Sequence, residues 1–165
     1  MTLAELNAAG RDAFVGAAGP LFEHSPWVAE AALASRPFAG ARDLHSKLCA
    51  AMRAAPRERR LALIRAHPDL AERLDRLSAA SQGEQAGAGL DRLEPAEREE
   101  FRRLNDAYRG RFGFPFVICA RLNAKDAILA AMRDRLGHDA AGEEEAALAE
   151  IEKIAWLRLE DLLRK

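Results

Sequence analysis

The imbalance between helix formers and strand formers constrains this chain more than any other feature. It holds 36 Ala and 22 Leu, against 9 Val, Ile and Thr taken together. Ala and Leu cost least in a helix, and the β-branched side chains that suit a pleated sheet are scarce. Neither an all-β fold nor a doubly wound α/β fold suits such a composition, so an all-α fold is expected. At 165 residues the chain fits one domain. That is long enough to bury a core without disulfide staples.

The punctuation between helices is clear. Thr2-Leu3-Ala4-Glu5 is a capping-box pattern, and Gly10 closes the helix it opens. A short helix follows over Arg11–Ala18. Ser25-Pro26 reads as a cap and first helical position, for a helix ending before Pro37. Arg42–Ala54 carries Leu44, Leu48 and Met52 at fourfold spacing, one helix face. Pro56 opens a helix to Ala66, and Pro68 opens another through Leu77. Ser78 caps a helix to Gly87. Pro95 starts a long one ending at Phe112-Gly113, with Phe101, Leu104 and Tyr108 on one side. Phe114–Cys119 is apolar and extended, because Pro115 biases its predecessor away from helix. Ala124–Leu136 and Glu143–Leu163 complete the set, the last with Ile151, Ile154, Ala155, Leu159 and Leu162 on one stripe. Glu143-Glu144-Glu145 reads as a solvated first turn, where acidic side chains favour the helix dipole. The expected architecture is a compact single-domain multi-helix bundle, residues 1–165, with one buried extended segment.

Several function classes drop out. A net charge of −1 gives no field to hold a nucleic-acid backbone. No apolar run approaches the roughly 20 residues that span a bilayer. The start of the chain lacks a signal-peptide pattern and its end lacks a Ser-Lys-Leu address, so a cytoplasmic location is expected. Two cysteines, Cys49 and Cys119, make no disulfide framework and suit a reduced compartment. His24, His45, His67 and His138 lack metal-ligand spacing, and neither a phosphate loop nor a nucleophile elbow occurs.

Four segments can carry chemistry, and each also has a plain structural reading. His67-Pro68-Asp69 sits at a helix junction, where a histidine either titrates near neutral pH or caps the preceding helix. Ser81-Gln82-Gly83-Glu84-Gln85 is a dense polar cluster that also fits a capping box. The Phe112–Ala120 strip either fills the core or turns its backbone groups toward a polar ligand, since buried N–H and C=O groups need partners. Cys119, inside it, is a nucleophile only if its thiol escapes burial. Arg158 is placed either to grip a carboxylate or to snorkel from the last helix to the surface.

Taken in order the pieces form a specific pattern. They are Glu23-His24-Ser25-Pro26-Trp27, Arg36-Pro37-Phe38, His67-Pro68-Asp69-Leu70-Ala71 and Ser81-x-x-Glu84-Gln85-x-x-Ala88-Gly89-Leu90. Leu104-Asn105-x-x-Tyr108, Phe112-Gly113-Phe114-Pro115-Phe116-Val117-Ile118 and Lys153-Ile154-Ala155-x-Leu157-Arg158-Leu159 follow. This pattern resembles the OHCU decarboxylase family, from about Leu6 to Leu163. The resemblance implies an all-helical, cofactor-free and often dimeric enzyme of urate degradation. It would convert 2-oxo-4-hydroxy-4-carboxy-5-ureidoimidazoline to (S)-allantoin and CO2, with no metal, nucleic acid or membrane involved. It implies His67 as general acid/base and Glu84 as its partner. Pro68, Ser81, Gln82, Gly83 and Gln85 are implied to line the ligand site. Phe116, Val117, Ile118, Cys119 and Ala120 are implied to bind ureido and ring groups through the backbone, and Arg158 to bind substrate.

Two rivals share some of these residues. His67-Pro68-Asp69 is also the signature of J-domain co-chaperones, and Arg57, Arg59, Arg60 and Arg65 imitate the basic helix before it. That reading leaves the Ser81–Gln85 cluster and the Phe-Gly-Phe-Pro strip unexplained. A catalytically dead scaffold of the same fold is the other, and the presence of both His67 and Glu84 argues against it.

Overall fold

The computed structural model describes residues 1–72 and 76–164. It is helical as expected, and no strand occurs among the described residues. The helices are α1 (Leu3–Ala8), α2 (Arg11–Ala18), α3 (Trp27–Ala32), α4 (Ala41–Ala54), α5 (Arg57–Arg65), α6 (Ala79–Gly87), α7 (Pro95–Phe112), α8 (Lys125–Arg135) and α9 (Ala140–Arg164). The chain divides into two compact units, Met1–Ala66 with Glu152–Lys165, and His67–Ile151.

In the first unit the capping box closes as read, with Thr2 N donating to Glu5 Oε2 at 2.7 Å and Glu5 N to Thr2 Oγ1 at 3.1 Å. Leu44, Leu48 and Met52 of α4 are fully buried. Helix α3 is shorter than its punctuation suggests and passes into a 3-10 turn over Leu33–Ser35. Ser25 does not cap it; its hydroxyl donates to the Glu23 carbonyl at 2.8 Å instead.

In the second unit Ser78 caps α6 by accepting from Ser81 N at 3.2 Å, so Ser81 lies inside the helix rather than at its start. Glu94 and Glu97 form the capping box of α7. Gly113, at φ 78°, ends α7 in the left-handed region that favours glycine. The chain then runs extended through residues 115–119 to a 3-10 turn at Ala120–Leu122, and α6 packs against that turn.

Two further sequence expectations fail here. The helix read over Pro68–Leu77 is a turn over its described beginning, residues 68–72; residues 73–75 lie outside the described residues. Side chains from α6 and α7 hold that turn, and their reach is invisible to local pattern. The solvated reading of Glu143 also fails, because α9 starts at Ala140 and turns Glu143 inward, to 0% exposure.

Candidate active site

The His67 loop is built by the proline that follows it. A residue before proline is biased away from the helical region, so the chain leaves the helix after the Ala66 C-cap. His67 is 7% exposed. The residues after it are tied down in turn. Asp69 Oδ1 accepts from Arg109 Nε and Nη2 at 3.2 and 3.0 Å. The Leu70 carbonyl accepts from Asn105 Nδ2 at 2.9 Å. Ala71 sits at φ 63°, a strained value for a residue with a Cβ. Its N–H donates to Gln85 Oε1 at 3.0 Å and its carbonyl accepts from Arg98 Nη1 at 3.2 Å. One side chain of α6 and three of α7 thus over-determine the loop, which is how a strained backbone persists.

Helix α6 presents the polar cluster on one side. At about 100° per residue, Ser81, Glu84 and Gln85 fall on one stripe. Ser81 and Gln85 are buried and Glu84 is half-buried. Gln82 and Gly83 lie off it. Gln82 Nε2 donates back to the Leu77 carbonyl at 3.1 Å, and Gly83 is exposed on the far side from Ser81. The Gln85–Ala71 bond joins this stripe to the His67 loop.

The apolar strip is held by its backbone. Phe116, Val117, Ile118, Cys119 and Ala120 are all buried. The Val117 carbonyl accepts from Arg135 Nη1 at 2.8 Å, and Cys119 N donates to Glu150 Oε1 at 3.1 Å. Burial pushes the Cys119 thiol above its ordinary range, and the Glu150 and Glu84 carboxylates add to the shift. The thiol therefore stays protonated and a poor nucleophile at neutral pH. Glu84 on α6 is close enough to the strip for its charge to be felt at Cys119.

Arg158 is in the first unit. It is 8% exposed, so it does not snorkel. Its Nη2 meets Glu23 Oε2 at 2.9 Å and its Nη1 donates to the Pro20 carbonyl at 3.1 Å.

Sequence reading missed one buried network altogether. Glu143 Oε1 accepts from Tyr108 Oη at 2.6 Å and from Arg135 Nε at 2.7 Å, while its Oε2 lies 2.8 Å from His138 Nδ1. Burial, then the bond to Glu143, pushes the Tyr108 hydroxyl well above its ordinary range. The available signal was Asp139, whose Oδ1 accepts from Gly142 N at 2.6 Å as a cap residue would. It starts the helix early enough to bring Glu143 inside. Arg135 carried no signal, since an arginine in a last helical turn is ordinary.

The family model for OHCU decarboxylase matches residues 7–160. The chain belongs to the OHCU decarboxylase family. An OHCU decarboxylase relative, the 2-oxo-4-hydroxy-4-carboxy-5-ureidoimidazoline decarboxylase of Haloferax volcanii, is 48% identical over 159 residues, covering 96% of this chain and 94% of that protein. The mouse protein of the same name is 39% identical over 166 residues, covering 99% and 93%. A crystal structure of (S)-allantoin synthase superposes with a TM-score of 0.79 at 31% identity; it covers 99% of this chain, which spans 54% of that one. A structure of OHCU decarboxylase in the presence of (S)-allantoin, at 22% identity and TM-score 0.73, shares the fold. The co-chaperone alternative finds no support in these matches. No helix among the described residues is long and apolar enough to cross a membrane.

Proposed function

We propose that this chain decarboxylates 2-oxo-4-hydroxy-4-carboxy-5-ureidoimidazoline to (S)-allantoin and CO2. Family membership supports the reaction, and the Gln85–Ala71 bond is the observation that carries the site. It ties the His67 loop to the helix that bears Ser81 and Glu84.

The substrate carries its carboxylate on a hydroxyl-bearing carbon next to a ring C=N. When the bond to the carboxylate breaks, its electron pair passes into that C=N and CO2 leaves. The ring nitrogen takes a proton. The hydroxyl proton then leaves as the carbonyl forms, and a proton is delivered to the ureido-bearing carbon. The substrate is its own electron sink, so the reaction is assigned to the protein's side chains without a cofactor. The protein's task is orientation, charge placement and proton delivery.

In this reading His67, paired with Glu84, moves the hydroxyl proton and directs reprotonation to one face. Pro68 shapes the wall beside it, and Ser81 and Gln85 face the same side. Gln82 and Gly83 serve through the turn of helix they complete. The backbone from Phe116 to Ala120 meets the ureido and ring groups. Arg158 enters through the family resemblance, as a substrate-binding cation already fixed by Glu23.

A homodimer and a cytoplasmic location complete the proposal. Two free, buried thiols, Cys49 and Cys119, support a reduced compartment. The test generates the unstable substrate from urate in situ and follows circular dichroism. Accelerated appearance of optically active allantoin is expected. Racemic allantoin at the spontaneous rate would sink the reading.

A further inference from the structure

We infer that Arg135 and Glu150 are positioning residues that set the two peptide planes of Ile118 in the substrate-binding strip. The inference rests on the proposed activity and deepens it, by naming side chains that act through the strip rather than on the substrate.

The bonds between Val117, Ile118 and Cys119 are trans, since the one cis bond found among the described residues is Arg36–Pro37. In a trans peptide the C=O of one residue and the N–H of the next point in opposite directions within one plane. A side chain that holds one end of the plane therefore aims the other.

Arg135 holds the first plane. Its Nη1 donates to the Val117 carbonyl at 2.8 Å, so the Ile118 N–H points away from Arg135. Glu150 holds the second. Its Oε1 accepts the Cys119 N–H at 3.1 Å, so the Ile118 carbonyl points away from Glu150. The donor and the acceptor of one residue are thus each aimed by a charged side chain on the far end of its plane.

Arg135 is itself held rigidly. Glu143 takes its Nε at 2.7 Å, and Tyr108 shares the same carboxylate oxygen at 2.6 Å. The guanidinium lies 4.3 Å from the centre of the Phe116 ring, which makes a T-shaped contact with Tyr108. A planar fork suits this double task, since one edge can grip a carboxylate while another meets a carbonyl. A lysine can do one of the two. Preset dipoles of this kind cost no reorganisation when the substrate arrives. A ureido group offers both a carbonyl and N–H groups, which matches the donor and the acceptor of one residue.

The test compares the parent enzyme with Arg135→Lys, Glu150→Ala and Glu150→Gln. It measures kcat and KM on substrate generated from urate, Kd for (S)-allantoin by calorimetry, and enantiomeric excess after subtraction of the spontaneous reaction. Arg135→Lys and Glu150→Ala are expected to raise KM and Kd about tenfold and to lower enantiomeric excess, with helical circular dichroism retained. Glu150→Gln keeps an oxygen for the Cys119 amide and is expected to restore KM. A purely structural role would reduce kcat with the folded fraction and leave KM and enantiomeric excess at parent values, and that result overturns the inference. Equal impairment in Glu150→Gln and Glu150→Ala overturns it too. Should Arg135→Lys fail to fold, the Glu150 pair decides alone. A parent enzyme that neither turns over substrate nor binds (S)-allantoin overturns the proposed activity itself, and the inference with it.

Discussion

Gln85 accepts a hydrogen bond from the Ala71 amide at 3.0 Å, and so couples the helix that carries Glu84 to the loop that carries His67. Gln85→Leu removes the acceptor at similar volume. Ala71 then keeps only the Arg98 bond to its own backbone, with Asn105 and Arg109 still holding the two residues before it. The expected outcome is faster hydrogen exchange at the Ala71 amide and a fall of about tenfold in kcat/KM, the usual effect of one lost buried hydrogen bond. Unchanged exchange at Ala71 would show that the bond does not hold the loop.

The acid–base assignment predicts larger losses. His67→Ala and Glu84→Gln should each lower kcat by about 10²–10⁴-fold with little change in thermal unfolding. Because the two act as a unit in this reading, the double variant should cost about as much as the worse single one. Multiplicative losses would separate their roles.

Glu143 predicts a stability effect without touching the substrate. Its carboxylate is fully buried and serves Tyr108, Arg135 and His138. Glu143→Ala strands the Arg135 cation in the interior, which costs about 3–5 kcal/mol for a broken buried pair. Urea denaturation should show a lower midpoint at similar slope. A change under about 1 kcal/mol would mean the cation finds other company or water.

The Arg53–Glu152 pair predicts a pH dependence. Arg53 Nε and Nη2 each meet a different Glu152 oxygen at 2.8 Å. Those bonds hold the Glu152 carboxyl below its ordinary value of 4.5. A depressed folded-state value stabilises the protein above the ordinary carboxylate range and is lost as pH falls through the lowered value. Arg53→Met should therefore cost about 1 kcal/mol near neutral pH, given the partial exposure of both groups, and nothing in strong acid. A difference that persists below about pH 2 would assign the effect to packing instead.

What was legible in the sequence was the part that local pattern controls. Helices α4, α6 and α7 lie within a residue or two of where capping residues and apolar spacing put them, because those signals act over one or two turns. The His67 junction and the non-helical strip were legible for the same reason: proline acts on its neighbour. The turn after Pro68 was not, since Asn105, Arg98 and Arg109 reach it from a helix that begins at Pro95. The burial of Glu143 is not legible locally, because one of its three partners, Tyr108, is 35 residues away. Arg158 stays open in the sequence between gripping a carboxylate and reaching the surface, because its counter-charge, Glu23, lies 135 residues away.

The left-handed turn at Gly113 has a consequence for how this chain tolerates change. It marks where the strip starts, and the grips of Arg135 and Glu150 fall on main-chain atoms a few residues later. Main-chain atoms are the same whatever the side chain, so conservative apolar replacements at Val117 or Ile118 should be absorbed. Adding or deleting one residue is another matter. In an extended chain a one-residue slip turns every peptide to the opposite side. A single alanine inserted between Gly113 and Phe116 should therefore abolish activity in a protein that still folds, while an alanine inserted after Gly40 should not. The strip acts as a ruler: its spelling can drift, but its letter count cannot.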